Sequence, residues 1–120
     1  MKVIRQAEQT ARAGTTFTGP AQVTPLLPAQ PDSGLRVTLV SFEDGAVTYW
    51  HEHPGEQILY ILSGEGRVGN GQEEIRVSAG DVVHAGPGEK HWHGAAPGRS
   101  MSHLSVTTVG PPIWYDEAPE

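Results

Sequence analysis

Apolar and polar positions alternate over short stretches of this chain, and nowhere does an apolar residue recur every three to four positions for long. Period-two alternation belongs to strands buried on one face and a 3.6-residue period to amphipathic helices, so the pattern predicts β-structure with little helix. The predicted strands are Gln22 to Leu27, Leu35 to Phe42, Val47 to His53, Gln57 to Leu62, Gly66 to Val68, Glu73 to Val77, Asp81 to His84, Lys90 to Gly94 and Ser100 to Val109. Most are bounded by Gly, Pro or Asp, the residues that end strands and make turns. Gly69-Asn70-Gly71 lies between two of them and predicts a hairpin whose turn needs positive φ. Many short strands imply an all-β barrel, closed or nearly so, with a mouth wide enough for a small ligand.

Within that frame, residues 1–20 have weak periodicity and end at Gly19-Pro20, so they read as an arm that packs on the barrel or on a partner subunit. Residues 21–110 form the barrel, and residues 111–120, rich in Pro, form a mostly irregular tail partly packed down through Trp114 and Tyr115. Trp50, Trp92 and Tyr60 are expected in the core. Glu43, Asp44, Glu73, Glu74 and Glu89 are expected as solvated turn or edge charges.

The polar residues inside the strands carry the chemistry. Side chains two apart on a strand share a face, about 6.6 Å apart along the backbone, so His51 and His53 can lean onto one ion while Glu52 turns away. Gln57 falls on the face of Leu59 and Ile61 and points to an apolar interior. An unpaired amide there costs roughly 1 to 3 kcal/mol, which calls for a partner. His91 and His93 repeat the two-residue spacing on a later strand, and His103 lies on the last one with Met101 and Ser105 on its face. His84 reads as structural or superficial.

Composition narrows the function. One core is what 120 residues with 37% hydrophobic content can build. Fourteen acidic residues against eight basic ones, a formal net charge of −6, leave no basic stripe for a nucleic-acid backbone or an anionic bilayer. Met1 to Gln9 lacks an apolar leader and no long apolar run follows, so a cytoplasmic protein without a membrane span is the expectation. The absence of Cys excludes thiolate catalysis and leaves His, Gln and carboxylate as metal ligands.

Read outward from the histidines, Gly45, His51-Glu52-His53, Gln57 and Gly64 form one spaced group, and Gly80, Gly86-Pro87-Gly88 and His91 a second. These resemble the two conserved motifs of the cupin superfamily, G-x5-H-x-H-x3,4-E-x6-G and G-x5-P-x-G-x2-H-x3-N, over Gly45 to about Ala95. Gln57 stands where the usual Glu sits, Pro87 comes one place late, and Ala95 replaces the final Asn. A narrower resemblance, through Phe17-Thr18-Gly19, the run Pro87 to Pro97 and Met101-Ser102-His103-Leu104, is to the small single-domain cupins grouped with carboxymuconolactone decarboxylases, which include manganese-dependent bacterial hydroxynitrile lyases.

That resemblance implies a jelly-roll barrel with a metal held by His51, His53, Gln57 and His91, and a histidine at the position of His103 acting near the substrate; with the near-neutral pKa usual for histidine, His103 is expected as a general base. The same resemblance places His93 at the rim or behind the ligands. Departures are Thr107, where the lyases carry Gln, and Thr38, where they carry a small apolar residue. Three neutral imidazoles and an amide leave the full double charge on the ion, which suits Lewis-acid chemistry. A metal-dependent lyase or isomerase acting on a small molecule is therefore expected, with an Fe(II) dioxygenase or a non-catalytic metabolite-binding module as alternatives. Manganese or iron is the expected metal, with nickel, zinc or cobalt also accommodated. A homodimer through edge strands and arms is the expected assembly.

Overall fold

The computed structural model describes Met1–Glu120. Ten strands are present: β1 (Arg12–Ala13), β2 (Ala21–Leu27), β3 (Arg36–Phe42), β4 (His51–Glu52), β5 (Gln57–Gly69), β6 (Glu74–Ser78), β7 (Val82–Ala85), β8 (Trp92–Ala95), β9 (Met101–Thr107) and β10 (Ile113–Trp114). The only helical turn is a short 3-10 segment at Gln6–Glu8, and no helix is long and apolar enough to cross a membrane. The all-β expectation therefore holds, as do most strand positions to within a residue or two.

All pairing is antiparallel, in the order β1-β2-β3-β9-β5-β6, with β7 and β8 also on β5. The organising element is β5. Its first half pairs with β9 on one side and β7 on the other, and its second half with β6 and β8. A single strand of thirteen residues thus replaces the two shorter ones read from the sequence. The chain crosses Gly64 without a break because Gly64 takes φ +80 against the Ser100 carbonyl, where any Cβ would collide. The hairpin after β5 forms as expected, with Gly71 at φ +89 and the Asn70 Oδ1 accepting from the amides of Gln72 and Glu73, both at 3.1 Å.

Two other expectations change. Only His51–Glu52 of the stretch Val47 to His53 is a strand; Val47 and Thr48 make isolated bridges to Gly94 and Phe17 because the chain there turns between sheets. Trp92 is buried as expected, but Trp50 is half-buried and Tyr60, on the outer face of β5, is exposed. The alternation along β5 that buries Leu59 and Ile61 necessarily turns Tyr60 outward.

The interior has two ends. Ala21, Val40, Phe42, Ala46, Ile61, Val77, Ala95 and Met101 form the apolar core, with Phe17 of the arm edge-on to Phe42 at 5.5 Å. Along the inward row of β9, Met101 gives way to His103, Ser105 and Thr107, all buried. Facing them are Val40, Thr38 and Arg36 of β3 and Ile61, Leu59 and Gln57 of β5. The barrel therefore runs from apolar to polar along its axis, and the polar end holds the histidines.

Candidate metal centre

Five histidines and one glutamine are buried together at that polar end: His51, His53, Gln57, His91, His93 and His103, none more than 7% exposed. His51 and His91 are placed by a bridge between their own backbones, each amide donating to the other's carbonyl at 3.0 and 2.8 Å. Their rings lie 4.4 Å apart. Each Nδ1 donates to a main-chain carbonyl, His51 to Tyr49 at 2.9 Å and His91 to Glu89 at 2.7 Å. In a neutral imidazole that leaves Nε2 as a lone pair, oriented as a metal ligand requires.

Gln57 meets His91 from the neighbouring strand. Its Nε2 donates to Ser105 Oγ at 3.0 Å, which turns Oε1 to within 2.8 Å of His91 Nε2. In this amide orientation a lone pair faces a lone pair, so the two atoms would both be available to hold one cation. Two ligands at about 2.1 Å in octahedral coordination sit about 3 Å from each other. The spacing fits.

His53 stands 5.3 Å from His51 and 5.9 Å from His91, ring to ring, and both its nitrogens are buried without a hydrogen-bond partner. His93 enters from β8. Its strand is held by Arg67, which donates to the carbonyls of Ala95 and Gly45 and lies over the Trp92 ring at 5.4 Å. The His93 Nδ1 is 3.0 Å from His103 Nε2, while its own Nε2 and the His103 Nδ1 are unpartnered. Ligand atoms of His51, His91 and His93 all lie within 4.8 Å of one another, a buried three-histidine cluster with the geometry of a metal site. The structure thus sets His93, expected at the rim or behind the ligands, within the same cluster as His51 and His91.

Burial dominates the electrostatics. It lowers His51 from 6.5 to about 3 and His53 to about 4, each further depressed by the neighbouring His91. It lowers His91 and, strongly, His93, and takes His103 to about 4. The near-neutral base expected at His103 is therefore corrected: a ring with no solvent exposure has nothing to stabilise its cation. Neutral imidazoles are the form that binds metal.

The cluster opens into a cavity of about 440 Å³. His51, His53, Gln57, His93 and His103 line it, together with Thr38, Val40, Ser105, Phe17, Trp114 and the two arginines Arg12 and Arg36. Trp114 was legible only as a packed tail residue. It pairs through β10 with β4 and stacks on His51 at 4.4 Å. The tail is pinned by Tyr115, which donates to Glu52 Oε1 and lies under Lys90 Nζ at 4.4 Å. Glu52 accordingly faces away from the site, and His84 lies on the surface, 2.8 Å from Glu56.

The profile of the Cupin domain family matches residues 38–107, which span the histidines and the strands that carry them. The chain belongs to the cupin family. This cupin is 42% identical over 111 residues to the (R)-mandelonitrile lyase of Granulicella tundricola, covering 88% of this chain and 83% of the relative. Among solved structures, a cupin-like protein from Thermotoga maritima superposes with a TM-score of 0.84 at 36% identity, over 90% of this chain and 86% of that one. A polyketide cyclase from Streptomyces resistomycificus, with a TM-score of 0.77 at 19% identity over 95% and 84% of the two chains, shares the fold alone.

Proposed function

We propose that this cupin is a metal-dependent lyase that cleaves small hydroxynitriles or closely related hydroxy compounds. The reading is carried by one conjunction: a chain 42% identical to a mandelonitrile lyase has a cluster of buried histidines, two of which, His51 and His93, line a substrate-sized cavity.

His51, His53, Gln57 and His91 are the residues we assign to the ion, which we take to be manganese or iron. His51 and His91 are pre-oriented by their carbonyl partners, Gln57 by Ser105, and His53 has two free nitrogens to offer. A divalent ion in that neutral set supplies Lewis acidity, lowering the pKa of a substrate hydroxyl beside it. His93 and His103 then have the work of proton transfer. The unpartnered His93 Nε2 accepts the hydroxyl proton, and its Nδ1 shares a hydrogen with His103, which spreads the positive charge over two rings. As the hydroxyl oxygen becomes a carbonyl, the carbon–cyanide bond breaks, its electron pair leaves with cyanide, and the proton returns to that anion. A base depressed by burial suits this role, because the hydroxyl it meets is itself acidified.

The exposed Tyr60, Leu62 and Val82 make an apolar patch across β5 and β7 and support a homodimer, checked by light scattering.

The test of function is benzaldehyde release from mandelonitrile, assayed with and without oxygen beside elemental analysis. Metal-loaded protein is expected to turn over in either atmosphere and His91→Ala to lose both metal and activity. Turnover by a metal-free variant ends the proposal, and strict oxygen dependence transfers it to a dioxygenase.

A further inference from the structure

The charges around the cavity are one-sided. Although the chain carries 14 acidic and 8 basic residues, the cavity is lined by two arginines, Arg12 and Arg36, and by no Asp or Glu. Neither arginine is within ion-pair distance of a carboxylate; the one close pair of opposite charge in the protein is His84 with Glu56. Arg36 is half-buried at the end of β3, opposite Thr107, on the row that continues inward to Thr38 and Val40. Thr107 is in turn opposite Gln57 of β5, so Arg36 stands on the same inward rows as the polar end of the barrel. The acids nearest the histidines in sequence are engaged elsewhere, Glu52 by Tyr115, Glu56 by His84 and Glu89 by the Gly86 amide.

A half-buried arginine with no carboxylate within ion-pair distance, beside a neutral ligand set that would leave a divalent ion's charge unbalanced, makes a field that favours one kind of occupant. We propose that the cavity is built for a substrate or product bearing a carboxylate, a small 2-hydroxy or 2-oxo acid, with Arg36 as the residue that recognises the carboxylate and Arg12 adding to the field. A hydroxynitrile is uncharged, so this extends the lyase reading of the same site and rests on it for the location of the reacting group. Arg36 presents a planar fork of donors that matches two carboxylate oxygens, which Lys cannot copy.

The experiment compares mandelate with mandelamide, equal in shape but differing in charge, as ligands of the metal-loaded full-length protein by calorimetry, in wild type, Arg36→Gln, Arg36→Lys and Arg12→Gln. Wild type is expected to bind mandelate at least about tenfold more tightly than mandelamide, the worth of one charge-assisted pair. Arg36→Gln is expected to abolish that preference without changing mandelamide affinity, Arg36→Lys to restore part of it, and Arg12→Gln to reduce it less. Equal affinity of the wild type for both compounds overturns the inference whatever the variants do. So does a preference that survives intact in Arg36→Gln, since the carboxylate is then held by the ion alone. Neither result touches the lyase reading, which stands or falls on metal content and benzaldehyde release.

Discussion

Trp114 lies over His51 with ring centroids 4.4 Å apart and 35° between the planes, so a residue six from the chain's end roofs one of the histidines of the metal cluster. The contact exists because β10 pairs with β4 in register, Trp114 opposite His51. Trp114→Ala removes the stack, worth about 1 kcal/mol beyond area burial. The expected outcome is faster metal loss to a chelator, by roughly fivefold, with the fold intact by circular dichroism, because the apolar core lies at the other end of the barrel.

The proposed place of Gln57 among the ligands can be tested through charge. Gln57→Glu adds a carboxylate within reach of the same ion, and about tenfold tighter metal retention is expected, together with a fall in turnover as one unit of the ion's charge is offset. Without metal the same variant buries a carboxylate, so its thermal midpoint should lie below the wild type's when chelated and recover when loaded. Metal titration followed by melting curves checks both halves.

His103 separates binding from chemistry. His103→Ala takes away the ring that shares a hydrogen with His93, while His51, Gln57 and His91 keep their own partners. Turnover is expected to drop by about 10²- to 10⁴-fold, the usual worth of a positioned proton-transfer group, with metal content unchanged. Loss of the metal along with the activity would reassign His103 to the support of the centre.

Acid should unfold the metal-free protein early. His51, His53 and His103 titrate near 3, 4 and 4 when folded and near 6.5 when unfolded, so between those values the unfolded chain binds more protons. Stability is therefore full above about pH 7, falls as pH drops through 6.5, and stops falling on their account only below about pH 3, the folded value of His51. Urea midpoints across this range check the sign. Added metal should move the loss to lower pH, since ligand and proton compete for the same lone pairs.

Period-two alternation and the spacing of Gly, Pro and histidine were enough to place most of the strands, though not the continuity of β5 or the shortness of β4, and with them the barrel, the shared face of His51 and His53, and the inward turn of Gln57. Those are local properties, set by the geometry of an extended chain. His93 was visible as a repeat of the His91 spacing, yet how near it comes to His51 depends on the backbone pairs of His51 with His91, Val47 with Gly94 and Thr48 with His93 and on the pairing of β8 with β5, contacts between residues far apart in the chain. The same holds for Trp114 on His51, for the two arginines lining the cavity, and for the fall of His103 from neutral to about 4. A sequence prescribes which side chains a strand turns inward. How deeply they are buried, which charges they then meet and which ends of the chain close over them are decided only when separate strands share one interior, because desolvation and pairing act through space and not along the backbone.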